Sequence, residues 1–397
     1  MKNRNLFVVV ASYFLNGLET SIVNVIWQPF ILSFGVPVSV LGLLTSIGGW
    51  NGIIPTIISP IGGWFADRRG RKWLMLGGSL ALMASYVLYA LAGWAGWVFL
   101  VVPGIFLAGL AAVSRPIASA LTGESVRAGR QASAFSLVMF ANILPGILAP
   151  LVAGYLADRA GYAPGFVVAL GAECVAFVLI ARYLQETFQN SAERIDWRGL
   201  AQVLRRAWRP PAGMGGFFVM CAMDSFSWGL GWALLYGLIS KEYHFDTIQL
   251  GIMASVMSAS WAVFQLPIGR IIDKSGIKWI MAISESSGAP LMLIWMTQTR
   301  FEIFVASMVL FAVNAALWIP ARNTYIARAA PAENRAEVFG LLTAFTGLIG
   351  FPAPFIGGFL YDHWGYAVPF IANLIGSVLT FCVILLFVRE PHAAHSS

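Results

Sequence analysis

Charge is scarce in this chain. Only 11% of its 397 residues are Asp, Glu, Lys or Arg, less than half the usual share of a soluble domain, so an ordinary solvated surface is excluded. Cysteine is scarcer still. Cys174, Cys221 and Cys382 all fall in apolar stretches and lack metal-ligand spacing, which indicates neither a disulfide nor a zinc site. No nucleophile and base pair, phosphate loop or metal cluster stands out, so no enzyme, cofactor or metal is expected.

What the chain has instead is apolar length. Hydrophobic residues make up 58%, and mean hydropathy is +0.76. Runs of about 20 apolar residues, enough to cross a hydrocarbon core of roughly 30 Å as helix, recur throughout. Twelve are expected. Spans 1 to 6 cover roughly 6–33, 40–65, 73–92, 97–121, 132–156 and 164–183, and spans 7 to 12 roughly 213–239, 248–272, 279–297, 302–325, 337–359 and 367–388. The fold class read from them is an all-α membrane protein, twelve transmembrane helices in two pseudo-symmetric six-helix bundles. The domains are 1–184, a linker 185–212 and 213–397. In the linker Leu200, Val203, Leu204, Ala207 and Trp208 recur at helical spacing opposite Arg198, Arg205, Arg206 and Arg209. Two readings fit: an amphipathic helix on an anionic leaflet, or a solvated connection. Lys2 and Arg4 precede an apolar run too long for a signal peptide and without a small-residue cleavage site, so span 1 is expected to be retained.

The net charge of +7 does not point to nucleic acid, because its distribution follows the membrane. With a cytoplasmic N-terminus, twenty of the 25 basic residues fall at or near cytoplasmic span ends; Arg159, Lys241 and Arg300 lie outside, and Arg115 and Arg322 within spans. That is the positive-inside bias, and it places both termini in the cytoplasm of a multi-pass cell-membrane protein.

The halves repeat. APLVAGYLADRAGYAPGF at 149–166 and APFIGGFLYDHWGYAVPF at 353–370 share nine of eighteen positions at an offset of 204. Within two residues, that offset also brings GRIIDKSGIK at 269 onto GWFADRRGRK at 63, Glu19 onto Asp224, and Trp27 onto Trp232. GWFADRRGRK resembles the G-x-x-x-D-R-x-G-R-K/R loop signature of the major facilitator superfamily, with a degraded copy between spans 8 and 9. The resemblance covers essentially the whole chain. It implies two bundles across a central cavity, with alternating access by rocking of one on the other. It also implies gating at Gly63, Asp67, Arg68, Gly70 and Arg71. Asp67 would cap the start of span 11, with Asp273 as its second copy, whose loop has Lys274 and Ile277 in place of Arg68 and Arg71. The basic residues of the loop also set topology on their own.

A-P-x-x-A-G at 149–154 and A-P-x-x-G-G at 353–358 are similar to the core of a motif in span 5 of drug and proton antiporters of that superfamily. Ala149 and Ala153 replace two of its glycines. Bending and close helix packing would explain both copies without antiport. Arg115 and Arg322, near Pro116 and Pro320, either snorkel to the interface or form inner-gate ion pairs. Neither matches the antiporter arginine of span 4, which stands nearer the outer end.

The stretch FLNGLETSIVN puts Glu19 in the middle of span 1. An ionisable group at that depth costs about 2.5–3.5 kcal/mol on lenient scales and marks function unless it is locked in an interhelical bond. Asn16, Val23 and Trp27 share its helical face, and Trp228 and Trp232 share the face of Asp224 in span 7. Glu19 and Asp224 are therefore expected to bind the coupling proton or a cationic group of the substrate. Trp27, Trp228 and Trp232 would contribute ring stacking, and Asn142 and Asn314 polar contacts. Glu173 and Glu285, on spans that are peripheral scaffold in the superfamily, read as packing. Trp64, Trp73, Trp94, Trp97, Trp279 and Trp364 lie near span ends and read as interface anchors.

The expected function is secondary transport: proton-coupled export of a small amphipathic organic solute, with substrate, protons and lipid bilayer as partners of a monomer. Proton-coupled uptake of a sugar or organic acid, or a non-transporting sensor on the same fold, are the alternatives.

Overall fold

Apolar runs interrupted by Gly and Pro should give long helices with breaks, and they do. A computed structural model describes residues 2–49, 51–124, 131–186, 210, 211, 213–274, 276–330 and 335–390; the amphipathic linker segment lies outside them. Every regular element among the described residues is helical. Unit by unit along the first half these are α1 (Lys2–Leu32), α2 (Val38–Gly48), α3 (Ile53–Arg69), α4 (Arg71–Ala95), α5 (Val101–Leu110), α6 (Ser114–Glu124), α7 (Gln131–Ile143), α8 (Ala149–Ala160) and α9 (Ala163–Tyr183). The second half holds α10 (Gly215–Leu230), α11 (Leu235–Tyr243), α12 (Thr247–Lys274), α13 (Ile277–Thr297), α14 (Phe301–Ala329), α15 (Arg335–Gly350), α16 (Ala353–Trp364) and α17 (Ala367–Phe387).

Together they make the twelve expected spans, five of which are broken. Span 5 is α7 and α8 joined through a 3-10 turn at Leu144–Ile147, and span 11 is α15 and α16 joined at Phe351 and Pro352. In both copies a proline, Pro150 or Pro354, opens the second helix, where its missing N–H costs nothing. Span 7 breaks at Gly231, so Trp232 sits on a 3-10 turn. Among the described residues, eleven stretches are long and apolar enough to cross a membrane. The twelfth, α13, is diluted by Lys278, Glu285 and three serines.

The described chain forms two compact units. Unit 1 comprises Met1–Val36, Ile47–Gln202 and His244–Ser255; unit 2 comprises Pro37–Ser46, Val203–Tyr243 and Val256–Ser397. Their boundaries differ from the sequence halves by two exchanged segments, residues 37–46 and 244–255. Backbone proximity at glycine explains both exchanges. In unit 2, a Cβ on Gly42 would collide with the Pro354 carbonyl and one on Gly358 with the Val38 carbonyl. In unit 1, Gly251 stands against Pro150 and Gly154 against Thr247 in the same way. The A-P-x-x-(A/G)-G motifs thus have a packing role here.

Carboxylates finish these contacts. Asp158, near the end of α8, accepts the backbone N–H groups of Thr247 and Ile248 at 3.0 and 2.9 Å, and its repeat mate Asp362 accepts those of Val38 and Ser39 at 3.1 and 2.8 Å. Each caps a helix start, where N–H groups lack intrahelical partners and the dipole favours an anion. Replacing Asp362 with Ala should lower stability by about 1–2 kcal/mol, a cap-sized loss. Thermal unfolding in detergent measures it, and an unchanged midpoint would show that the cap carries no load.

The repeat extends to the cores. Met75, Leu121, Ile180 and Leu184 pack in unit 1, and Met281, Tyr325, Ile384 and Val388 take the corresponding places in unit 2. Trp73, Trp94, Trp97, Trp279 and Trp364 are exposed, as interface anchors must be. Trp64 is not one of them. It is only 7% exposed and stands edge-on to Phe65 at 5.0 Å, because α3 turns that face inward.

Candidate functional site

Span 1 reaches Glu19 through a polar chain. In α7, Asn142 donates from Nδ2 to the Tyr13 carbonyl at 3.1 Å and to Asn16 Oδ1 at 3.3 Å, and Asn16 Nδ2 donates to Glu19 Oε1 at 2.6 Å. Gly17 makes this possible: a Cβ there would fall inside the Asn142 carbonyl oxygen. Glu19 itself is fully buried, at 0% exposure. Its Oε2 finds no hydrogen-bond donor of good geometry among the described residues. The polar groups within reach are the Glu173 carboxyl on α9 and the Tyr86 hydroxyl on α4. Glu173 in turn accepts a short hydrogen bond from Ser79 Oγ.

Unit 2 repeats the arrangement. Asp224, half-buried on α10, lies within hydrogen-bond reach of Glu285 on α13 and of Trp318 on α14, and the Arg322 guanidinium acts on it electrostatically. Glu285 is buried, has Ser377 and Trp228 within reach, and keeps Oε1 without a donor among the described residues. Arg322 likewise has a buried Nε without a hydrogen-bond partner among the described residues. Two unit negative charges about 4 Å apart repel by roughly 4 kcal/mol at an effective dielectric of about 20. One proton between two such carboxyls replaces that repulsion with a hydrogen bond.

The structure therefore brings Glu19 and Asp224 each to a second acid that the sequence reading had given to packing. Trp27, Trp228 and Trp232 are half-buried and already stacked within their own units. Trp27 lies 5.0 Å from Tyr89, which is 5.3 Å from Phe166. Trp232 lies 5.4 Å from Trp295, which is 6.1 Å from Phe370, and 3.8 Å from Phe311. Asn142 joins the Glu19 chain. Asn314 does something else: its amide donates to the Ser284 carbonyl at 2.6 Å and Ser287 Oγ at 2.9 Å, clamping α14 to α13.

Of the gating residues, the side chains of Gly63, Asp67, Arg68 and Asp273 lie outside the described residues. Gly70 has φ of 98°, a conformation that favours glycine, between α3 and α4. Glu186 packs beside it and accepts the Arg71 and Lys72 backbone N–H groups at 3.1 and 3.0 Å. Glu390 caps Ile277 and Lys278 in the second copy at 2.5 and 3.0 Å. Arg115 lies close enough to Tyr13 for its charge to act on the phenol. Sequence reasoning passed over all four capping acids. Asp158 and Asp362 stand among the nine repeat identities, and Glu186 and Glu390 share the same 204 offset, so self-alignment alone would have found them.

A family model described as Major Facilitator Superfamily matches residues 9–233 and 217–397. The chain is 25% identical over 384 residues to "Multidrug resistance protein MdtG" of Serratia proteamaculans, covering 94% of this chain and 90% of that protein. It is 24% identical over 393 residues to the protein of that name from Escherichia fergusonii, covering 96% and 92%. Among solved structures, a POT family transporter in complex with 5-aminolevulinic acid superposes with TM-score 0.78 at 12% identity, over 96% of this chain and 95% of that one. A D-xylose-proton symporter gives 0.73 at 15% identity, over 98% of both chains. These superpositions establish the fold.

Proposed function

Because the chain belongs to the major facilitator superfamily, and is thus a secondary transporter rather than an enzyme, we propose that it exports a small amphipathic organic solute in exchange for protons. The observation that carries the reading is the repeated pair of mid-span acids, Glu19 and Asp224, each set against a second carboxyl in an apolar bundle. Buried ionisable groups of this kind mark proton or substrate sites in membranes. The full-length similarity to proteins named for multidrug resistance supports export of an amphipathic solute. In this reading Glu19 and Asp224 take up and release the proton. Trp27, Trp228 and Trp232 offer ring surface to the solute, and Asp67 and Arg115 help close one side during alternating access.

Purified protein in liposomes tests it. An imposed pH gradient should drive accumulation of an amphipathic organic cation, and reversing the gradient should reverse the direction. Counterflow of sugars or organic acids without effect on the cation would favour uptake of a polar solute, and no transport of any probe would favour a sensor.

The charge distribution supports a topology with both termini in the cytoplasm. A cysteine at the exposed Thr299, in a background lacking Cys174, Cys221 and Cys382, should react with an impermeant thiol reagent from outside the cell. Labelling only from the cytoplasm would invert the topology.

A further inference from the structure

We infer that Glu173 and Glu285 are the second acceptors of two buried proton sites, so that the proton in each unit belongs to a carboxyl pair and not to a single acid. The inference rests on the coupling reading above only for what the proton does during transport.

The geometry carries it through an exchange between the halves. In unit 1, Ser79 on α4 donates to Glu173 on α9, and Glu173 faces Glu19. In unit 2, the position matching Ser79 is Glu285 on α13 and the position matching Glu173 is Ser377 on α17, each within two residues of the 204 offset. Serine and glutamate have traded helices, yet each unit keeps one serine, one glutamate and one acid from its central helix in contact. Packing alone needs no such reciprocity. A glutamate needed only to brace its own helix could be replaced by any polar group, whereas a proton site must keep a second carboxyl beside the first.

The unsatisfied oxygens point the same way. Glu19 Oε2 and Glu285 Oε1 are buried and meet no donor of good geometry among the described residues, and a proton on the neighbouring carboxyl is one group that can satisfy each, beside the Tyr86 hydroxyl in unit 1 and the Ser377 hydroxyl and Trp228 indole in unit 2. In the resulting arrangement one carboxyl is protonated and donates its O–H to the other, ionised one; loss of the proton leaves two carboxylates, and no other bond changes. The groups that face the unit 1 pair are Tyr86 of α4, Asn16 of α1 and Ser79 of α4. The groups that face the unit 2 pair are Arg322 and Trp318 of α14, Trp228 and Cys221 of α10, and Ser377 of α17. Arg322 has no counterpart among the groups that face the Glu19 pair, so the two sites differ in their charged surroundings.

Infrared difference spectroscopy during pH titration of the reconstituted protein reads this directly, through the C=O stretch of protonated carboxyls and its shift in heavy water. Wild type should show two titrating carboxyl bands. Glu173→Gln and Glu285→Gln should each remove one, although Glu19 and Asp224 remain. Ser79→Ala keeps all four acids and should shift only the unit 1 band. Moving the acid across, with Ser79→Glu and Glu173→Ser together, should restore the band lost in Glu173→Gln. Bands that persist in Glu173→Gln and Glu285→Gln, or a unit 1 band unmoved by Ser79→Ala, would overturn the inference. Bands lost as predicted while pH-gradient-driven transport continues would leave the two sites standing and sink the coupling reading instead.

Discussion

In liposomes carrying the Glu19→Gln, Asp224→Asn double variant, pH-gradient-driven accumulation should fall to that of empty liposomes while the protein still inserts and folds. The amides fit because the sites already contain their partners. A glutamine at 19 keeps its carbonyl for the Asn16 amide, 2.6 Å away in the native chain, and turns its N–H₂ toward Glu173. An asparagine at 224 accepts from Trp318 and donates to Glu285. Every polar group finds a partner, so the stability cost stays small, while the exchangeable proton is gone. Exchange without a gradient requires no net proton movement, so it should survive in one of the single variants and assign the substrate to the other acid. Gradient-driven transport at wild-type level in the double variant would show that these acids only brace helices.

Gly17→Val should destabilise the protein by about 1–3 kcal/mol, the range for overpacking, and disturb coupling as well. The atom that the new side chain meets is the Asn142 carbonyl oxygen, part of the α7 backbone, which cannot swing aside as a flexible side chain would. Helices α1 and α7 must separate, and Asn142 then loses its bonds to Tyr13 and Asn16. Gly77→Ala in α4 is the matched control, since nothing stands within 4 Å of its missing Cβ and alanine is the better helix former. A Gly17→Val midpoint equal to the control in thermal unfolding would rule out the close contact.

The spans were legible because an apolar run of membrane length has few alternatives. The acids Glu19 and Asp224 were legible because ionisable residues are conspicuous in such runs. Their partners were not. Glu173 and Glu285 sit on helices that family resemblance marks as scaffold, and what joins them to Glu19 and Asp224 is helix rotation, which a periodic pattern of all-apolar residues leaves undetermined. The trade of serine and glutamate hid them further, because a repeat search aligns identities and here the pair is conserved while each position is not. Trp64 was misplaced for a related reason: nearness to a span end predicts depth but not which way the helix faces. The breaks at Gly231 and Phe351 mark where glycine or proline ends a helix, and the exchange of residues 37–46 and 244–255 between compact units followed from backbone contacts that no single half of the sequence contains.

The most direct measurement loads liposomes with a pH-sensitive dye and applies only a gradient of the transported cation, with no pH gradient. Wild-type protein should move protons against the cation flow and change the internal pH, and the Glu19→Gln, Asp224→Asn double variant should leave the pH constant. Cation flux without proton movement in wild type, or equal proton movement in the double variant, would contradict the account.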